Sequence, residues 1–135
     1  MDTNDFFGEV IYSYTRAQAI EDGVLVDMSE AAKKTGFNFP VAVTSSVWRK
    51  YIGWNDEDSK RQVSQDENAR LRDFLLMLLF SIKLSRNNSD QINYVLDIVP
   101  CDGKSRTAKR TQLKAIIGGG DDGEHVLTIM LPNED

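Results

Sequence analysis

The sequence predicts an α+β fold: an antiparallel three- to five-stranded sheet packed on one long central helix, preceded by short strand and helix elements. Three observations predict it. Leu71, Phe74, Leu75, Leu78, Leu79 and Ile82 recur at i, i+3, i+4, i+7, i+8 and i+11, one continuous apolar face of a helix. Behind them Ile92, Tyr94, Leu96 and Ile98 alternate with Asn93, Val95 and Asp97, the period of a half-buried strand. Between Val10 and Trp48 lies a dense set of helix start and stop signals. At 135 residues the chain holds one domain, residues 1–135, and buries roughly two-thirds of its unfolded surface.

Taken in order, Val10 to Tyr14 reads as a short strand. Thr15 followed by Gln18 fits a capping box that opens a helix to Asp22, and Gly23 closes it. Val24 to Asp27 is a second strand. Ser29 and Gly36 bracket a second helix, Glu30 to Thr35, in the same way. Pro40 holds Phe39 extended and turns the chain into a strand at Val41 to Val43. Thr44 or Ser45 caps a helix through Tyr51, with Gly53 as its stop. Residues 55–66 are polar and charged apart from Val63 and read as a mobile surface loop.

The long helix follows. Asp66 and Glu67 at its start and Lys83 and Arg86 at its end suit the helix dipole. Leu76, Met77 and Phe80 widen its apolar face, so it is expected to be central and covered on two sides. After the loop SRNNSD comes the alternating strand, then a turn at Pro100, Asp102 and Gly103. A strand from Lys109 to Ile117 puts Leu113, Ala115 and Ile117 on one face; a loop from Gly118 to Gly123 leads to a last strand, His125 to Leu131. Connections too short for a crossover helix argue an antiparallel meander beneath the long helix.

Composition narrows the function. Apolar residues make 41% and charged residues 27% of the chain, ordinary globular values. No apolar run approaches the roughly 18–20 residues that span a bilayer. The acidic start lacks a basic n-region and an apolar h-region, so no secretory signal is expected. A lone Cys101 excludes an intrachain disulfide and fits a reducing compartment, so the expected location is cytoplasmic. With one histidine, His125, it cannot form a usual zinc cage; neither metal nor cofactor is expected. The net charge of −5 argues against direct nucleic-acid or membrane binding by the whole surface.

That charge is uneven. Lys104, Arg106, Lys109, Arg110 and Lys114 form a basic run, whereas Asp56, Glu57 and Asp58, and later Asp121, Asp122 and Glu124, form acidic clusters. They read either as solvated surface or as a polarised surface that steers a partner. The loop from Gly118 to Glu124 could present an anion nest, but it leads into a strand beside three acids and lacks the alternating ligands of a calcium loop. A hairpin loop is the simpler reading. Trp48, Tyr51 and Trp54 fall at i, i+3 and i+6, either core packing or an aromatic ridge for a protein partner. Cys101, close to lysines and arginines, could have a lowered thiol pKa, but no second histidine offers a base. His125 reads as a surface or satisfied histidine.

Two catalytic resemblances are local. Asp97 on one strand and Gln112-Leu113-Lys114 on the next resemble the PD-(D/E)xK nuclease core, which would imply magnesium on the carboxylate and charge stabilisation by the lysine. The triplet's usual acid is Gln112 here, and the resemblance spans some 20 residues. The opening YSYTRAQAIEDGVL resembles the start of small ADP-ribosyltransferase folds, without an assignable catalytic acid.

The broader resemblance is carried by IYSYTRAQAIEDGVLVDMSEAAKKTGFNFPVAVTSSVW, by RLRDFLLML and by the ending DDGEHVLTIMLP. These resemble a family of short uncharacterised bacterial proteins, a domain of unknown function carried by plasmids, phages and other mobile elements. The resemblance implies no activity, catalytic residue or cofactor. It implies a context in which small acidic proteins inhibit host defence, as anti-CRISPR or anti-restriction factors do, or sequester nucleotide signals.

The expectation is therefore a non-enzymatic protein that occludes a basic surface of a host protein or complex. Asp56, Glu57, Asp58, Asp121, Asp122 and Glu124 would make the contact, with Trp48, Tyr51 and Trp54 as anchors. Two alternatives stand beside it: a nucleotide sponge whose phosphates meet Arg106, Lys109 and Arg110, and a metal-dependent nuclease using Asp97 and Lys114. Exposed strand edges leave a homodimer open.

Overall fold

A computed structural model describes residues 14–85 and 90–134. The strand expected from Val10 and the helix-end Arg86 lie outside the described residues. Helix α1 (Arg16–Glu21) leads through Gly23 to β1 (Leu25–Asp27), α2 (Ser29–Thr35) and β2 (Val41–Thr44). A short α3 (Ser45–Val47) widens into a π-turn at Trp48–Ile52. Helix α4 (Asp56–Arg61) precedes the long α5 (Glu67–Leu84). Strands β3 (Gln91–Ile98), β4 (Lys109–Gly119) and β5 (His125–Met130) complete the chain.

The local signals act as their chemistry demands. Thr15 and Gln18 form the reciprocal capping box at α1, each side chain meeting the other's backbone N–H at 3.0 Å. Gly23 and Gly36, at φ +80° and +127°, end α1 and α2 in backbone that a side chain would strain. Thr44 caps α3 by accepting from the Val47 N–H. Ser29, expected as a cap, is instead the first residue of α2. Its hydroxyl donates to Asp27 at 2.6 Å and accepts from the Val41 N–H at 3.1 Å, so it stitches β1 to β2.

The sheet runs β1-β2-β5-β4-β3. β3, β4 and β5 form the expected antiparallel meander, but the sheet as a whole is mixed, because β2 pairs parallel with β5. Val41 lies opposite Leu127 and Val43 opposite Ile129, partners more than 80 residues apart. Strand periodicity fixes faces, not distant neighbours, so this pairing corrects the purely antiparallel expectation. On one face Val41, Val43, Tyr94, Leu96, Leu113, Ala115, Leu127 and Ile129 meet Phe74, Leu75 and Leu78 of α5. The Phe74 and Tyr94 rings pack edge to face at 6.2 Å. On the other face Arg16 donates to Thr128 Oγ1 at 2.7 Å and to the Leu127 carbonyl at 2.9 Å, tying α1 to β5.

Two further expectations are corrected. Residues 55–66 are not a mobile loop, for they hold α4, opened by an Asn55–Asp58 capping box. A polar window without apolar periodicity can still be helical when caps and tertiary bonds hold it. Nor is α5 covered on both sides: Leu76, Met77, Phe80 and Leu84 are exposed. No helix among the described residues is long and apolar enough to cross a membrane.

Candidate functional site

The most elaborate polar arrangement lies where the π-turn, α4, the start of α5 and the 99–105 turn converge. In the π-turn the Gly53 N–H bonds the Trp48 carbonyl, one residue later than in an α-helix. Gly53 is needed there because a Cβ would stand 2.9 Å from Trp48 Nε1. The carbonyls left over are met by Arg70. It is only 5% exposed and donates to the Tyr51, Ile52 and Val99 carbonyls, to Gln65 Oε1 and to Cys101 Sγ. Its guanidinium stacks 4.2 Å over the Trp54 ring. Burial lowers the Arg70 pKa from the usual arginine value, with Cys101, Asp58 and Glu67 opposing.

Gln62, 1% exposed, is the second pin. Its amide donates to the Pro100 and Ser105 carbonyls at 2.8 and 2.7 Å and to Asp102, and its oxygen accepts from the Gly103 N–H. Asp102 also accepts from the Ser105 hydroxyl and from the Ser105 and Lys104 N–H groups, which hold its carboxyl well below the usual carboxylate range. Cys101 donates to the Gly53 carbonyl at 3.0 Å. Burial pushes its thiol pKa up while Arg70 opposes, so the expected lowering is reversed: burial is the larger effect.

The two acidic clusters lie apart. Asp56 and Glu57 are exposed on the first turn of α4, with Glu57 3.9 Å from Lys60. Asp58 is engaged in the capping box and with Arg61 at 2.8 Å. Asp121, Asp122 and Glu124 sit in the β4–β5 hairpin. Asp121 accepts from the Arg16 and Ala17 N–H groups, capping α1, and Glu124 accepts from the Asp122 N–H. The clusters flank opposite ends of β4, whose 11 residues span about 36 Å.

The aromatic trio is also divided. Trp54 is 5% exposed, with Nε1 donating to Ser59 Oγ at 2.9 Å. Tyr51 and Trp48 are half-buried, and Trp48 faces a groove of about 740 Å3 between α2 and α5, beside Ala31, Leu71 and Leu76.

The residues of the alternative readings do not converge. Lys109 and Arg110 are consecutive in β4 and project to opposite faces, while Arg106 precedes the strand. Asp97 stands opposite Arg110, 3.8 Å from its guanidinium, whereas Lys114 and Gln112 stand opposite Asn93 and Val95. Four residues of strand, about 13 Å, separate Asp97 from Lys114 along β3. His125 is exposed opposite Gly119. Among the described residues no group of three or more His, Cys, Asp or Glu is placed to hold a metal ion.

Sequence reasoning missed Arg70 and Gln62. One signal for Arg70 existed: it falls at i−4 from Phe74 and i−8 from Leu78, a cation on the apolar stripe. Also unforeseen is a cavity of about 280 Å3 between the start of α5 and the end of β3, where Asp66 and Asp73 flank Phe74, Met77 and Leu96.

The chain belongs to a family of unknown function, DUF6573, whose family model matches residues 3–135. No curated protein and no solved structure matches it.

Proposed function

We propose that this member of the family is a non-enzymatic binding protein of a mobile element that occludes a basic surface on a host protein complex, one of host defence. The observation that carries this reading is α4. It presents Asp56 and Glu57 to solvent on a helix pinned at both ends, by the Asn55–Asp58 capping box and by buried Gln62. A preorganised acidic turn meets a cationic surface without the ordering cost of a loose loop. The hairpin acids Asp122 and Glu124, beyond the far end of β4, would reach only a second point on a large partner. Trp48 is the aromatic residue of the trio that borders a groove.

The test is capture of host proteins by the tagged chain at low and high salt, beside a D56N/E57Q/D58N variant checked for native circular dichroism. A stoichiometric, salt-sensitive complex weakened tenfold or more by the variant is expected. A complex indifferent to both salt and variant would remove the acidic helix from the interface.

A further inference from the structure

We propose that the outer edge of β3 and the groove beside it take an extended, basic segment of a partner protein as an added strand. The inference deepens the proposed function and rests on it for the partner being a protein with basic character.

Among the described residues β3 is an outermost strand of the sheet and eight residues long, whereas the opposite edge, β1, has three. The Ile117 N–H bonds the Asp90 carbonyl, so even-numbered residues of β3 turn their main chain to β4. The N–H and C=O groups of Asn93, Val95 and Asp97 therefore point away from the sheet, and among the described residues no main-chain bond reaches them from that side. Natural edges are blunted by proline, lysine, bulges or brevity. β3 has no proline, no lysine and an unbroken one-to-one register with β4.

The ground beside this edge suits a strand. α5 runs back along β3, and its Met77, Phe80 and Leu84, at 41, 62 and 76% exposure, form one stripe at i, i+3 and i+7. At the Leu96 end the groove deepens into the 280 Å3 cavity. A strand laid on the edge would drop every second side chain between Met77 and Leu96 and place the others beside Val95 and Asp97.

Charge selects the occupant. Asp66 and Asp73 line the cavity from the α5 side, and the one cation lining it, Arg70, is spent on carbonyls and on Trp54, whereas Asp97 turns its carboxylate to the other face of β3, 3.8 Å from Arg110. Lysine or arginine side chains dropped on the α5 side would lay their aliphatic stems over the stripe and their charges beside Asp66 and Asp73, and the alternate, apolar side chains would lie beside Val95. A second copy of this chain, at net charge −5, would bring the same acids against themselves.

The probe is a fluorescein-labelled nonapeptide of alternating lysine and valine, titrated by anisotropy into the intact protein, with amide shifts followed by NMR. Its comparators are a glutamate–valine peptide and a lysine–valine peptide N-methylated along its bonding edge. Val95→Pro removes an outward donor while sparing the β3–β4 ladder, and Asp73→Lys inverts a groove charge from α5 without touching the strand. The expected result is shifts at the Asn93, Val95 and Asp97 amides and at least tenfold weaker binding for either variant and either comparator. No binding, equal binding of the N-methylated peptide, unchanged binding to Asp73→Lys, or shifts centred on α4 would each overturn the proposal. So would a concentration-dependent dimer abolished by Val95→Pro. A host complex lost with D56N/E57Q/D58N but kept with Asp73→Lys and Val95→Pro would leave the proposed function standing and this inference fallen. Peptide binding at β3 with no host complex would do the reverse.

Discussion

Arg70 and Asp73 lie within one turn of α5, yet the polar main chain around each is treated in opposite ways. Around Arg70 the Tyr51, Ile52 and Val99 carbonyls are gathered by one buried guanidinium, and Gln62 does the same for Pro100 and Ser105. Beside Asp73 the outward groups of Asn93, Val95 and Asp97 find no such partner among the described residues, and the apolar stripe on α5 stands exposed. A buried carbonyl without a donor costs about 1–3 kcal/mol, whereas one facing water costs little. The first region therefore had to be closed for the chain to fold; the second could stay open. The closed region is also the brace of the open one, since it fixes the start of α5 against the end of β3.

The largest effect that sharpens this contrast is expected from Arg70→Met. It keeps the stem but strands three carbonyls, and should cost about 2–4 kcal/mol in urea unfolding. A loss below about 1 kcal/mol would mean that packing, not hydrogen bonding, closes the junction. Gln62→Leu comes next, at about 1–3 kcal/mol, since the Pro100 and Ser105 carbonyls and the Gly103 N–H lose their partner.

Acid should loosen the same turn. The folded pKa of Asp102 lies below its unfolded value, so its stabilisation is present above the ordinary carboxylate range and fades as pH falls through the folded pKa. The urea midpoint is expected to fall more steeply in acid for the wild type than for Asp102→Asn; parallel slopes would sever the turn from the effect.

Tyr94→Phe tests the opposite sign. Among the described residues the buried Tyr94 hydroxyl has no partner, and burial holds its pKa far above the usual tyrosine value. Removing it should be neutral or stabilising by up to about 1 kcal/mol, and a clear loss in thermal denaturation would reveal a hidden acceptor. Smallest of all, Phe80→Ser and Leu84→Ser should change stability by no more than about 0.5 kcal/mol. A loss of several kcal/mol would show that the stripe belongs to the core.

Much of this could be read before folding. The strand alternation of residues 91–98 appears unaltered as burial of Tyr94, Leu96 and Ile98, and the Thr15–Gln18 box caps α1 as its spacing requires. α4 was illegible because its stability comes from Asn55, Asp58 and Gln62 bonding to specific partners, with no apolar period to announce it. The exposed face of α5 misled for the converse reason: apolar residues mark where burial is favourable, not where a neighbour stands. Of the expected contact residues, Asp56 and Glu57 are exposed, whereas Trp54 and Asp121 are engaged in stacking and in capping.

Apart from α4, the sequence by itself determined where the helices and strands of the described residues lie and how most of them end, because caps, left-handed glycines and side-chain periods act over a few residues. Only the tertiary structure decided that β2 lies parallel to β5, that Arg70 replaces helix bonds lost in the π-turn, that the acidic clusters stand at opposite ends of β4, and that β3 is an edge. Each of these joins residues distant along the chain, and such pairings follow from how whole faces compete for burial, not from any local pattern.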